Sequence, residues 1–496
     1  MMLLAVLLLP LLTALLLLAV KHPGQQRALA VGGAGLTLLL ALFLPVQASI
    51  EVLWLPGVNA YFALAASGAR GFLVLVAALV MLPTLLYASS QIQERRGAFL
   101  ALLLLMQAGL NGVFLATDLL LYYLFWEATL IPSLLLLGRW GGEKRREAVM
   151  KYLVYAVTGS FVMLVSILAL RPLSGAMSYR LEDLLAVTPL LSASTQNWLF
   201  AGFALAFAVK LPIVPLHAWL IDFHEQNHPC GAADVAGTLY KVGGWGFFAW
   251  ALPLLPAAAA QFTPWLLALA AFTALYGAIL ATAQNHLKRL LAYASLSHMG
   301  VLGVGIFGLH LLGLNGAMYL LAAQMLSTGG LFLLSGMLYE RRQSFALEHY
   351  GGLAKSAPAL AALTLFVLFA SIGVPGLSNF PGEFMSLMGA FQRSPWLGTL
   401  ATSAVIAAAV YGVNMYQRLY QGSAAQGDVK DVQRLELLVL LPLLVGILWL
   451  GIWPQQHLAR IEQQSVVLVR QLHLQQALAA GATLPQLRLS DTQGEQ

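Results

Sequence analysis

Phe207-Ala208-Val209-Lys210-Leu211-Pro212-Ile213-Val214-Pro215-Leu216-His217 sets a lysine inside an apolar run, with two prolines just after it. An isolated ammonium in hydrocarbon costs at least about 2.5 kcal/mol even on the most lenient insertion scale. Each proline removes a helix hydrogen bond and clashes with the preceding turn, so the span must break beside the lysine. A broken membrane helix that carries a charge is one way to build an ion-handling site. The pattern recurs in Gly373-Val374-Pro375-Gly376-Leu377-Ser378-Asn379-Phe380-Pro381-Gly382-Glu383. Two broken, charged helices in one chain point to ion translocation.

Of the 496 residues, 60% are hydrophobic and only 9% are charged, against a usual charged share of about 25%. That composition belongs to an integral membrane protein. It divides into about fourteen spans of about 20 residues, each long enough to cross roughly 30 Å of hydrocarbon. These spans begin near residues 2, 28, 71, 97, 117, 149, 197, 231, 264, 288, 313, 358, 396 and 434. The first run has no basic residues before it and no A-x-A cleavage site after it, so it reads as a retained helix. The polar stretch 421–436 reads as a short loop, and the tail after Pro454 as amphipathic or disordered. The single cysteine, Cys230, excludes an internal disulfide and a cluster ligated by cysteines of this chain. The net charge of +6 does not indicate nucleic-acid binding, because the basic residues are scattered over membrane-edge loops.

Most Lys and Arg, including Arg139, Lys144, Arg145, Arg146 and Lys151, fall in the odd-numbered loops. The positive-inside rule then puts those loops in the cytoplasm and both termini outside. A weak self-similarity runs through the middle of the chain. Thr158-Gly159-Ser160-Phe161 lies opposite Thr328-Gly329-Gly330-Leu331, Glu127 opposite His298, and Lys210 opposite Glu383, at offsets of 170, 171 and 173. Five helices per copy would invert the second copy in the membrane. The expected architecture is therefore all-α and polytopic, with about fourteen transmembrane helices, two inverted five-helix repeats, and broken helices 7 and 12. Its parts would be 1–96, the repeats 97–256 and 264–421, and a last helix with tail at 434–496.

Five ionisable residues inside spans carry the functional reading: Glu127, Lys210, Lys241, His298 and Glu383. Intramembrane carboxylates face cavities or partners far more often than lipid, although a protonated carboxyl bonded to backbone is the plainer alternative. An acid that approaches and withdraws from a buried lysine loads and unloads it, because burial disfavours the charge and a carboxylate restores it. A swing of about 3 pKa units corresponds to about 4 kcal/mol. One charge moved against about 150–200 mV costs roughly 3.5–4.6 kcal/mol, so the mechanism has the right size. The alternatives are a snorkelling Lys210 or Lys241, and a structural His298. Lys288, in Asn285-His286-Leu287-Lys288-Arg289, reads equally as a topology anchor or a member of a proton path. As a test position, Glu383→Lys is expected to retain more pumping than Glu383→Gln, since lysine still titrates.

His224-Glu225-Gln226-Asn227-His228 matches the H-E-x-x-H zinc pattern, which needs both histidines on one helical turn. Pro229 forces His228 out of helical geometry. The segment reads as a loop between spans seven and eight, and replacing both histidines with Ala is expected to leave activity nearly intact.

Together these residues resemble the antiporter-like membrane subunits of proton-translocating NADH:quinone oxidoreductase, respiratory complex I, and most of all its fourteen-helix subunit M (chain 4) branch. Phe125-Trp126-Glu127 is similar to the fifth-helix glutamate motif of that family. Ala208-Val209-Lys210-Leu211-Pro212 through Pro215-Leu216-His217-Ala218-Trp219-Leu220 resembles its broken seventh helix. Asp234-Val235-Ala236-Gly237 through Lys241 resembles the eighth-helix lysine region, and Lys288-Arg289-Leu290-Leu291-Ala292-Tyr293 through Ser297-His298-Met299-Gly300 the ninth-to-tenth-helix signature. Residues 373–384 resemble the broken twelfth helix, and Glu383 favours subunit M, because related subunits more often have lysine there. Gln324 stands where the family often has histidine; it bonds water but cannot titrate, so a relay there must use water. The Glu225–Gly231 loop also departs from the family's commoner Gln-Ala-Pro form.

The resemblance implies proton transfer through Glu127, Lys210, Lys241, His298 and Glu383, with His217, Asp234, Lys288 and Gln324 as further path members. It implies no cofactor in this chain, with NADH, flavin, iron–sulfur clusters and quinone handled by partner subunits. It also implies neighbouring antiporter-like subunits as partners, in a bacterial inner membrane. The competing readings are a subunit of a multisubunit cation/proton antiporter or of a membrane-bound hydrogenase.

Overall fold

The computed structural model describes residues 1–238, 242–423 and 427–479. Helices α1 (Met2–Ala19) and α2 (Pro23–Leu42) lead into an antiparallel hairpin, β1 (Ser49–Leu55) and β2 (Ala60–Ala65), with Ser49 opposite Ala65 and Leu53 opposite Tyr61. Next come α3 (Ala69–Gln91), α4 (Arg96–Leu115), α5 (Leu119–Trp140), α6 (Arg145–Ser174) and a short α7 (Leu181–Val187). The first break separates α8 (Ala193–Lys210) from α9 (Ala218–Gln226). The segments α10 (Ala232–Thr238) and α11 (Val242–Gly246), a π turn (Phe247–Ala251) and α12 (Leu252–Leu254) follow. Then come α13 (Pro256–Thr282), α14 (Leu287–Phe307), α15 (Leu311–Arg342) and α16 (Leu353–Ser356). The second break separates α17 (Pro358–Ser371) from α18 (Asn379–Arg393), and α19 (Pro395–Tyr420), α20 (Arg434–Ile452) and α21 (Gln455–Ala479) complete the described chain.

Ten of these helices are long and apolar enough to cross a membrane. Their burial grades outward from the centre. The most apolar window of α15 is entirely buried and that of α14 94% buried, whereas α1, α6, α19 and α20 bury 33–39%. The outer helices present Leu, Val and Ile to lipid, as solvent of equal apolarity permits.

Local chemistry sets the ends. Asp118 caps α5 by accepting from the amides of Leu120 and Leu121, and it also accepts from Tyr61 of β2, which ties the hairpin to the bundle. Gln433 and Glu436 form a capping box on α20, and Glu436 also receives both ends of the Arg341 fork at 2.7 Å, fixing α20 to α15.

The structure corrects two expectations and decides between two alternatives for the tail. The all-α reading misses the hairpin. Ser-Ile-Glu-Val-Leu-Trp-Leu is rich in β-branched and aromatic residues, and Pro56-Gly57 with a left-handed Asn59 (φ 52°) turns the chain. The tail after Pro454, read as amphipathic or disordered, takes the first form in its described part: α21 is a helix packed on α3, α13 and α15. The H-E-x-x-H segment is not a loop throughout: His224 lies in the last turns of α9 and is buried, and the helix ends at Gln226, before His228.

Candidate functional site

Both breaks need their freed backbone carbonyls satisfied, since nothing in hydrocarbon replaces a lost helix bond. Lys210 is the last residue of α8, and Leu211, just before Pro212, takes φ −82° and ψ 15°. The indole Nε1 of Trp219, from α9, donates to the carbonyl of Val209 at 3.0 Å. At the second break the side-chain amide of Asn379, the first residue of α18, donates to the carbonyl of Ser371 at 3.2 Å. Thus the trailing half of each pair reaches back and caps the leading half. The leading halves end at Lys210 and Ser371, and the trailing halves begin at Ala218 and Asn379, a constant spacing of 161 residues. In that register Lys210 closes a leading half and Glu383 lies in a trailing half, so the two are not at matching helix positions.

Lys210 is 3% exposed. Its Nζ donates to the Tyr152 hydroxyl at 3.1 Å and lies 5.5 Å from the ring centres of both Trp126 and Tyr152. The aromatic faces attract the cation while excluding water. Glu127 follows Trp126 in α5. It shares a hydrogen bond with Tyr123, which also bonds Ser160, and its Oε1 is buried with no hydrogen-bond partner. A buried carboxylate oxygen left open is an acceptor position waiting for a proton or a water. His217 precedes the first residue of α9, half-exposed, with a buried unpartnered Nδ1 and its ring edge-on to Tyr276.

The second cluster joins α14, α15, α17, α18 and α19. His298 Nδ1 lies 3.3 Å from Glu383 Oε1, within ion-pair distance but off the hydrogen-bond direction, so Oε1 retains an open acceptor position. Its Nε2 lies 3.3 Å from the Ser371 hydroxyl and 3.4 Å from that of Tyr411. Gln324 is fully buried and donates to the carbonyl of His298 at 3.5 Å, so it holds the helix of the histidine. Gly373, at φ +74°, passes the carboxylate so closely that a Cβ there would clash with Glu383 Oε2.

A third cluster answers the open question about Lys288, which is no surface anchor. It is fully buried with Nζ 2.7 Å from Asp234 Oδ2, and it donates to the carbonyls of Asn227 and His228 at 2.8 and 3.3 Å. Asp234 Oδ1 accepts from Asn227 at 3.1 Å and contacts His224 Nδ1 at 3.0 Å. His224 therefore serves a buried carboxylate, a role that the expectation of replaceable histidines did not include. Lys241 lies outside the described residues.

Removing one member of the Asp234–Lys288 pair strands a buried charge, which costs about 3–5 kcal/mol. Lys288→Met is expected to lower the amount of this chain in purified membranes, and the double variant Asp234→Asn/Lys288→Met to restore much of it. Quantitative mass spectrometry of membranes checks this. Equal loss in the single and double variants would reject the pair as the cause.

Two histidines outside the spans are held neutral. Burial pushes His228 down to about 4, with Lys288 adding to it, and burial likewise pushes His457 of α21 down to about 4. Both folded values lie below the usual 6.5, so their contribution is complete above about pH 6.5 and is lost as pH falls toward 4. The thermal midpoint of the purified protein should fall over that window, and less steeply for His457→Phe. An identical slope in that variant would exclude His457.

Sequence reading missed Tyr152, Trp219, Ser371, Asn379 and Tyr411. Trp219 and Asn379 had a usable signal, because a break inside a membrane demands a nearby donor for its carbonyls.

A family model described as NADH:quinone oxidoreductase/Mrp antiporter, transmembrane, matches residues 116–407. The chain is 46% identical over 460 residues to NADH-quinone oxidoreductase subunit 13 of Thermus thermophilus, covering 92% of this chain and 95% of that one. It is 37% identical over 422 residues to subunit M of Escherichia coli (strain K12), covering 82% of each. Among solved structures, a chain of respiratory complex I from Thermus thermophilus with bound NADH superposes with a TM-score of 0.91 at 44% identity, covering 95% of this chain and all of that one. A chain of the Mrp complex from Dietzia sp. shares the fold at a TM-score of 0.80 and 20% identity, over 95% of this chain and 98% of that one.

Proposed function

Because the chain belongs to the NADH:quinone oxidoreductase/Mrp antiporter transmembrane family, we infer that it is the proton-translocating membrane subunit of an NADH:quinone oxidoreductase. The observation that carries this is the likeness to complex I subunits along nearly the whole chain, in sequence and in structure. The likeness to the Mrp chain stands at 20% identity and speaks for the fold alone. The chain is a multi-pass membrane protein, and its partners are other membrane-arm subunits of complex I. Its one cysteine is buried; NADH oxidation, flavin, iron–sulfur clusters and quinone belong, in this reading, to partner subunits.

The finer reading is ours. The proton route runs through Glu127, Lys210, Lys241, His298 and Glu383, with Asp234, Lys288, His217 and Gln324 beside it. Four further units join the ten long apolar helices as crossings: Pro23–Leu42, the pair α8–α9, the described segments 232–238 and 242–254, and the pair α17–α18. That makes fourteen crossings, with 97–256 and 264–421 as inverted halves. The equivalent capping at the two breaks supports that division. Both termini then lie on the outer side of a bacterial inner membrane. Lys210 and Glu383 each sit beside a break, where a small shift of the trailing half changes what the group faces without melting a helix. Each would load from one side and release to the other as its partner moves.

Affinity purification through this chain tests the assignment. The expected companions, identified by mass, are NADH-oxidising and quinone-site subunits. Cation/proton antiporter subunits in their place would overturn it.

A further inference from the structure

The first turn of α3 carries a cation that the proton route does not use. Arg70 is 5% exposed, its Nε and Nη2 have no hydrogen-bond partner, and among the described residues no carboxylate faces it. One face of the guanidinium lies over the Trp245 ring, 5.5 Å from its centre. The group borders a cavity of about 280 Å³ between the start of α3, α7, the π turn and α21. Gln464 and Gln471 line the same cavity, and their side-chain oxygens are also buried without a donor. Leu181, Leu185, Phe248 and Leu468 make much of the remaining wall apolar.

A buried charge without a counterion is unfavourable, and the native state normally supplies one. The missing partner must be an anion with several acceptor oxygens, since a guanidinium fork binds phosphate through two parallel hydrogen bonds. A half-turn of either glutamine amide presents its NH2 instead of its oxygen. The same two side chains can therefore serve a phosphate oxygen or a glycerol hydroxyl. The apolar wall suits a glycerol backbone and the first acyl carbons. The depth fits as well. Trp453, 63% exposed at the end of α20, marks the headgroup level, and α21 begins two residues later.

We propose that this cavity binds the phosphate of a glycerophospholipid headgroup, with Arg70 as its bidentate partner. Free phosphate shares that chemistry, and the test separates the two sources. The assembled complex is purified in detergent as wild type, Arg70→Gln, Arg70→Lys and Leu185→Trp. Leu185→Trp fills the cavity from a half-buried position on α7 and leaves the cation in place. Each preparation is exchanged with micelles of isotope-labelled phosphatidylglycerol, washed, and extracted for lipid counting by mass spectrometry. A parallel equilibrium dialysis uses radiolabelled inorganic phosphate alone.

The expected result is one labelled lipid fewer per complex in Arg70→Gln and in Leu185→Trp, with about tenfold weaker retention in Arg70→Lys. Saturable phosphate binding that Arg70→Gln abolishes, with no change in lipid count, would overturn the lipid as source and assign the site to free phosphate. Unchanged lipid and phosphate in the variants would overturn the site itself. If Arg70→Gln does not assemble, Leu185→Trp decides alone. The outcome is independent of the proton route, because none of these residues belongs to it.

Discussion

Lys210→Met should lower coupled NADH:quinone turnover by about 100-fold in a fully assembled complex, the scale on which a positioned proton-transfer group acts. The side chain closes α8 at the first break, is 3% exposed, and has Tyr152 as a hydrogen-bond partner. Methionine keeps the length and removes the titratable nitrogen. Lys210→Arg is the sharper variant. Arginine keeps the positive charge but does not release its proton at accessible pH. A route that needs loading and unloading fails in both variants, whereas a fixed charge that merely holds Glu127 survives in Arg. Turnover of purified complex in sealed proteoliposomes, normalised to the amount of this chain, is the readout. Wild-type turnover in Lys210→Arg would reduce Lys210 to an electrostatic anchor.

Glu383→Gln should produce a loss of similar size. The carboxylate faces His298 across 3.3 Å, and His298 meets the Ser371 and Tyr411 hydroxyls on its other nitrogen. This is a short chain of exchangeable protons in a site closed to water. Glutamine preserves shape and removes the exchange. Glu383→Asp should keep part of the turnover, since it still titrates from a slightly greater distance. Glu383→Lys is another matter. Sequence alone recommends it as a titratable substitute, but Gly373 crosses Glu383 Oε2 so tightly that no Cβ fits there, and His298 lies against Oε1. A longer cation in that space is expected to lower assembly before it reports on transfer. The abundance of this chain in membranes distinguishes the two. Full turnover in an assembled Glu383→Gln complex would remove Glu383 from the route.

The parts that the sequence made legible are those where one residue violates its surroundings. Lys210 before Pro212, and Glu383 after Pro375, each put a charge beside a helix breaker, and both breaks are present in the structure. His298 and Glu383, read separately as buried titratable groups, turn out to be neighbours. The Asp234–Lys288 pair was not legible, because 54 residues, including the whole of α13, separate its members and neither periodicity nor a motif links them. His224 was misjudged for the same reason. Its pattern drew attention to His228 and zinc, while its actual partner lies across the loop in α10. The hairpin was lost because a reading tuned to 20-residue apolar runs passes over seven residues of strand. Nothing in the sequence singles out Arg70, and only tertiary packing reveals that it is buried with no carboxylate facing it among the described residues.

The most direct measurement is the proton flux per complex in proteoliposomes driven by NADH, with Glu127→Gln compared against wild type at equal assembly. The open, buried Oε1 of Glu127 is the feature a transferring carboxylate requires, and glutamine removes its exchange without changing its size. The account predicts a flux at or below about one hundredth of wild type. A fully assembled Glu127→Gln complex that pumps at the wild-type rate, with the wild-type yield of protons per NADH, would contradict it.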